Sequence, residues 1–415
     1  MNVKRQRHHR YLRRGSVLPL AVIFGVLVGI GIAALTVDVG LLCSARSQMQ
    51  RTVDSSALAG ASGVLSLNTN ARAEEYAGLN DVSFHTMVPS DLVIEPGNWD
   101  GISRSFTPTP ETGVDGRTPN SVRVTGTRAG LDLYFARFMG MNQTSTTRLA
   151  TALVGSGRCI GVWGMENVTT NGGIITDSYD TTVGPYGPGN IRPNGDVCSC
   201  GDIVMHGSGS IRGDAMYGDG YNFLPSGGSY EVWGLVDEHG CEFPDPAVDY
   251  DAPQATNDNA TIGLTSEGTS PWRGNPNEFN LAITGLETLT LQPGTYYFDS
   301  VRITGQAAIE IIGPTEIYIA GEATLTGGGL VNTTQIASNL KVFIEGPDAT
   351  LTGDSIFYGS IVAPSCDLKT TGSFTGYGVI LAKELTIGGD MIFHVDEQLA
   401  IDLFGGDVVR PVLVE

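Results

Sequence analysis

Residues 308–327 read AIEIIGPTEIYIAGEATLTG. Apolar side chains alternate with polar ones, and Gly, Pro or Asp follows within about eight residues. The same rhythm returns in Lys341-VFIE-Gly346, Ala349-TLT-Gly353, Phe357-YGSIVA-Pro364, Tyr377-GVILA-Lys383 and Glu384-LTI-Gly388. It is already present in Asp202-IVMHGSGSIRGDAMY-Gly218. A period of two places alternate side chains on one face of a strand. Ordinary sandwiches use longer strands and fewer glycines. Short strands with turns this frequent predict an all-β domain over 156–404, a β-solenoid (β-helix) in which each coil stacks its inward Ile, Val and Leu on the next. Glycine suits the corners, where positive φ would clash with a Cβ. A jelly roll or irregular sandwich is the competing arrangement. Residues 242–280, rich in Pro, Asn and Asp, read as a large excursion. Ile392-Phe393-His394 and Leu399–Phe404 read as a cap closing the open edge, and 405–415 as a tail.

The rest of the chain is of a different kind. Across 415 residues there are 24 Lys and Arg against 44 Asp and Glu, a net charge of −20, and 56 glycines. Such acidity argues against nucleic-acid binding, which needs a basic surface to displace counterions. A hydrophobic content of 41% argues against general disorder, and the glycines lack the three-residue period of collagen. Lys4, Arg5, Arg7, Arg10, Arg13 and Arg14 all precede the first acid, Asp38. Residues 38–155 carry 9 basic and 11 acidic side chains, whereas 156–415 carry 9 and 33. Three electrostatic regimes point to three surroundings.

Between Gly15 and Val37 lie 23 residues without a charge. As a helix they cover a hydrocarbon core of about 30 Å. Residues 1–14 form a basic head, 15–37 a transmembrane helix, and lipid is the first partner. The positive-inside bias puts the head in the cytoplasm and the chain beyond Asp38 outside the inner (cytoplasmic) membrane, single-pass. The apolar run is longer than a signal-peptide core, so an uncleaved anchor is expected. Gly40 and Leu42 do not fit the lipidation motif that Cys43 would require.

From Gly40 to Ser66 the helix should continue outward as an amphipathic, membrane-proximal helix over 38–67. Leu42, Ala45, Met49, Val53, Ala57 and Ala61 recur every three or four residues. A stripe of small side chains lets another backbone approach closely. Either a partner helix or the chain's own next domain could fill it. Residues 68–155 read as a small α+β module, with strands over Leu92–Glu95, Val122–Thr127 and Thr146–Val154. A short helix is expected at Leu131–Met139 and an exposed loop at Ser103–Asn120.

The run Arg14-Gly15, the apolar span, Val37-Asp38-Val39-Gly40, Gln50, and Val53-Asp54-Ser55-Ser56-Ala57-Leu58-Ala59-Gly60-Ala61 resembles the N-terminal module of TadG-like proteins of bacterial Tad/Flp pilus assembly. The likeness extends more loosely to about residue 152. It marks Arg14, Gly15, Val37, Asp38, Gly40, Asp54, Ala57 and Gly60 as anchor and recognition residues. It implies a bitopic, non-catalytic protein that works with other pilus-assembly proteins. Two features of relatives are missing. No Asp-x-Ser-x-Ser metal motif occurs, and Leu20 stands where a processed pilin carries Glu. Leu291–Phe298, Tyr358-Gly359, Ala363-Pro364 and His394-x-Asp396-Glu397-x-Leu399 resemble an uncharacterised extracytoplasmic β-helical domain of surface proteins.

Cys159, Cys198, Cys200, Cys241 and Cys366 all follow the span, where an oxidising compartment permits disulfides. Their pairing is open, and Cys198-Ser199-Cys200 matches neither a redox nor a zinc motif. His394, Asp396 and Glu397 suggest acid–base chemistry, but a hydrogen-bonded structural network explains them without it. Neither an EF-hand nor a nucleophile or phosphate-loop motif occurs, so no metal, cofactor or catalytic residue is expected. The reading is a non-catalytic, membrane-anchored structural protein of a pilus or cell-surface system. Its rivals are an adhesin or glycan-binding protein, with Trp233, Trp272, Tyr296 and Tyr297 on an exposed face, and a polysaccharide-degrading enzyme.

Overall fold

Helix α1 (Leu18–Gly63) runs unbroken for 46 residues, about 70 Å at 1.5 Å per residue. No proline interrupts it after its first turn, and its two halves meet different surroundings. The outer surface of residues 17–37 is apolar and exposed, whereas Ala45, Met49, Val53, Ala57 and Ala61 are buried. The computed structural model describes residues 17–112, 118–154, 159, 161–239, 248–263, 279–353, 355–404 and 411–414.

The buried stripe packs on helix α2 (Thr69–Gly78) and on an antiparallel five-stranded sheet. That sheet runs Val412–Leu413, Gln143–Leu153, Ser121–Asp132, Leu92–Asp100, Ser105–Pro108. The stripe is thus filled by the chain's own module. Two readings need correction here. Leu131–Met139 is not a helix: the strand runs to Asp132 past an irregularity between Arg128 and Leu131, and only a 3₁₀ turn follows at Ala136–Met139. Gly130, at φ +67°, makes that bulge and breaks the alternation by which the strand would be recognised. Within the expected loop Ser103–Asn120, residues 105–108 form the edge strand.

Between residues 161 and 396 the described chain is predominantly β, and its strands pair with one another in parallel. Jelly rolls and sandwiches are built on antiparallel hairpins, so the competing arrangement is excluded. Most partners lie about 20 residues apart, as Ile203 opposite Phe223 and Leu289 opposite Ile309 show. One ladder places Phe223, Ile203, Val168, Leu385, Leu368, Ala349, Ala323, Val301 and Leu281 side by side in register. All but Phe223 are buried, and together they form one edge of the main core.

The spatial order is not the chain order. Strand Gly161–Thr170 pairs on one side with Ile203–His206 and on the other with Phe374–Ile387. Strand Met391–Asp396 lies between residues 374–378 and Ile174–Tyr179. Ile392–His394 therefore does not cap an open edge; the backbone is paired on both sides. Helix Glu397–Phe404, α4 in chain order after the short α3 (Asp251–Ala255), covers a flank, where Phe404 stacks on Trp163 at 5.6 Å. Residues 412–413 then join the edge of the N-terminal sheet. The excursion over 242–280 falls mostly outside the described residues.

Phe393 is fully buried beside Phe374, and Gly376 leaves the space its ring occupies. Phe393→Ala should cost about 3–5 kcal/mol. Ile392→Ala, on the outward face, should cost about 0.5 kcal/mol or less. Denaturant titration of both variants checks the difference; equal losses would contradict an interior position for this strand.

Candidate functional site

Asp38 is the first charge after the apolar half of α1, and its carboxylate is buried. It accepts backbone N–H bonds from Tyr134 (2.8 Å), Phe135 (3.0 Å) and Ala136 (2.6 Å). Burial alone would raise its pKa. The Ala136, Tyr134 and Phe135 amides and the Arg137 charge outweigh that and hold it below the usual carboxylate range. Further out, Gln50 donates to Asp54 at 2.8 Å and to the Leu149 carbonyl at 3.2 Å, tying the helix to the sheet. Ser56 donates to Ala73 O, which joins α1 to α2. Gly60 lets α1 lie close against the module: a Cβ there would lie 3.1 Å from the Val122 side chain and 3.3 Å from that of Ala73.

A second constellation sits on the parallel domain. Tyr358, Tyr377, His394 and Asp177 occupy one register row of four neighbouring strands. Tyr358 stacks on Tyr377 at 4.5 Å, and Tyr377 on His394 at 4.6 Å. His394 Nδ1 lies 2.5 Å from Asp177 Oδ1, while Tyr186 donates to Asp177 Oδ2 at 2.8 Å and covers His394 at 3.9 Å. Tyr179, Tyr186, Tyr358 and Tyr377, with Gln335 and Ile336, line a cavity of about 370 Å³. Behind it, Glu397 accepts from Ser178, Asn194 and Arg192, and Arg192 also pairs with Asp180 at 3.1 Å. Asp396 accepts from Thr181 (3.0 Å) and the Leu399 amide (3.2 Å), which caps α4. Its other oxygen is buried with no partner among the described residues. Burial pushes its pKa up to about 6.

Against known protein families, residues 15–63 match the Flp pilus-assembly TadE/G-like family (Tad), and residues 50–152 the Tad-like Flp pilus-assembly family (Tad_C). The N-terminal region is thus similar to Tad pilus-assembly families. Residues 299–401 match a domain of unknown function (DUF7305). No curated protein matches. Among solved structures, the DUF3494 domain of a Shewanella frigidimarina ice-binding protein is similar at 15% identity and a TM-score of 0.29, over 58% of this chain and 95% of that one.

Within the Tad region the residues singled out by sequence fall into three groups. Asp38, Ala57 and Gly60 lie on contacts between α1 and its module, while Asp54 accepts from Gln50 within α1 itself. Val37 is exposed, and Gly40 has open space around it. Arg14 and Gly15 lie outside the described residues. Among the cysteines, Cys159 and Cys198 form a disulfide, and Cys200 is disulfide-bonded as well. Cys241 lies outside the described residues. Cys366 is a buried free thiol whose pKa burial pushes up to about 12, so it is chemically quiet. Cys43 is free and exposed.

The tyrosine row was not singled out from sequence. Its signal was there: Tyr358, Tyr377 and His394 recur 19 and 17 residues apart, close to the ladder spacing. Tyr296 and Tyr297, expected on an exposed face, are buried. Trp233 stacks on Arg212, and Trp272 lies outside the described residues. His394, Asp396 and Glu397 are each held by a separate partner within 177–194, Asp177, Thr181 and Ser178 respectively, rather than by one another.

A carboxyl whose pKa is raised on folding contributes stability that is fully present below its unfolded value, near about pH 4, and is lost as pH rises through the folded one. Asp396→Asn keeps the accepting oxygen and removes the charge. Its stability should match wild type near pH 4 and exceed it at pH 8 by about 1–3 kcal/mol, read as a higher Tm. Thermal scans across that range check this; a gap independent of pH would contradict it.

Proposed function

We propose that the chain is a non-catalytic, membrane-anchored structural protein of a Tad/Flp-type pilus-assembly or cell-surface system. Residues 15–37 cross the cytoplasmic membrane once, with the basic head inside. Residues 38–155 stand at the outer surface, and 156–404 wind as a β-solenoid that projects from it. The single observation that carries this reading is the continuity of α1. One rigid helix has an apolar half exposed over a membrane's thickness and then locks into a Tad module. The arginine-rich head sets the orientation. The Cys159–Cys198 disulfide suits an oxidising compartment. Lipid is one partner; pilus-assembly proteins are the other, meeting the faces of the outer half of α1 that its own sheet leaves open.

Exposed Ser105 on the edge strand offers a reporter of sidedness. In spheroplasts, Ser105→Cys in a Cys43→Ser background should react with a membrane-impermeant maleimide before lysis, and cells lacking the chain should lose surface pili. Labelling only after lysis, or normal piliation without the chain, would overturn the proposal.

The tyrosine-lined cavity favours a second reading, a glycan-binding surface protein on a pilus-type anchor. Tyrosine gives a pocket both apolar ring surface and hydroxyl groups at little entropic cost. Were that the function, the full-length protein in detergent would bind on a glycan array, and Tyr358→Ala would reduce the signal at least tenfold. Binding that is unchanged in the variant, or absent from wild type, would dismiss it.

A further inference from the structure

Large apolar side chains are exposed together at one place outside α1, the end of the Tad module nearest the apolar half of the helix. Phe84 is fully exposed, Phe138 is 82% and Met139 76% exposed, and Tyr134, Phe135 and Met141 are exposed beside them. Exposed apolar groups scattered singly need no explanation, but a cluster does.

Two tethers fix the height of this cluster. The Asp38 carboxylate holds the backbone of residues 134–136 against the first helical turn beyond the span. Tyr134 and Phe84 line a common cavity of about 260 Å³ with Leu41 and Leu42 of α1. Leu42 lies four residues past Asp38, a rise of about 6 Å. The headgroup layer outside the hydrocarbon core is about 5–7 Å thick on each side. Both loops therefore stand at headgroup depth when α1 crosses the bilayer.

Local backbone geometry supports the same conclusion. Ser83 and Phe84 form the two-residue turn between Asp81–Val82 and His85–Thr86, at φ +51° and +62°. That region is unfavourable for a bulky residue, where Gly or Asn is the usual choice. Here the strained turn carries a phenylalanine with no protein contact to cover it. Arg137, beside Phe138, adds a cation at the same level. Aromatic and basic side chains together are what a membrane interface accommodates.

We infer that the 83–84 turn and the 134–141 loop form a collar that inserts its apolar side chains into the headgroup layer of the bilayer crossed by α1. The occupant is the lipid surface itself, since the patch is continuous with the apolar half of the helix. The collar gives the module a second point of attachment beside the helix, and so fixes its tilt on the membrane. The inference rests on the reading of α1 as a span.

The test uses the full chain in phosphatidylcholine vesicles, in a Cys43→Ser background, with an environment-sensitive fluorophore on one introduced cysteine. Phe138→Cys and Phe84→Cys should give blue-shifted emission that headgroup-region nitroxide lipids quench by at least half. Leu27→Cys should be quenched by nitroxides deep in the acyl chains, and Ser105→Cys by neither. If the labels at 138 and 84 behave like that at 105 while the label at 27 is quenched, the collar is overturned and the anchor stands. If the label at 27 is also unquenched, the span reading fails and the collar falls with it.

Discussion

The rest of the N-terminal structure depends on how closely one helix can lie on one sheet. Where α1 crosses the Ser121–Asp132 strand, Gly126 faces Val53 and Met49; a Cβ there would come within 2.8 Å of one and 2.9 Å of the other. Gly60 performs the same service one stretch further along, against Val122 and Ala73. With no side chain at these points the backbones approach, and the Ala-rich stripe is sealed from water. Burial of this apolar stripe, at roughly 25 cal/mol per Å², then favours one position and one rotation of the helix. Because α1 continues without a break toward the apolar half, that rotation also sets where Asp38 points. Asp38 in turn sets where the 134–141 loop sits.

The parallel domain solves a different problem, that of free strand edges. Its first strand to enter the stack, Gly161–Thr170, is also where the last long strand, Phe374–Ile387, returns to pair. Unpaired backbone groups there would invite association with other chains. Entry and exit thus share a site that carries the Cys159–Cys198 disulfide, the Trp163–Phe404 stack and the Glu397–Arg192 pair. A stack whose early strands pair with its late ones depends on contacts hundreds of residues apart. Such non-local pairing is slow to form, which makes covalent support at the junction physically reasonable.

Much of this was legible in the sequence because the signals are local. A 23-residue charge-free run, a stripe at helical spacing and short alternating runs ending in Gly each state their own secondary structure. Short strands with frequent turns pointed to stacked coils rather than a sandwich, and the parallel registers themselves are a finding of the structure. The order of the ladders did not follow, because nothing within residues 391–396 says that the neighbour is 174–179 rather than solvent. Asp132 was assigned to a helix because the bulge at Gly130 shifts the alternation by one. The tyrosine row stayed hidden for the same reason as the ladder order: its members come from segments that only long-range pairing brings together. Asp38, by contrast, was recognised as a motif residue, although its acceptance of three amides from residues 134–136 was not visible.

Amide hydrogen exchange of the full-length protein in bilayer discs addresses the clamp between helix and sheet most directly. If α1 is held as described, the amides of residues 49–61 will exchange as slowly as those of strand residues 150–153, through one cooperative opening. Exchange of 49–61 a hundredfold or more faster than the strand would show a helix that rides free of its sheet, and would contradict the account.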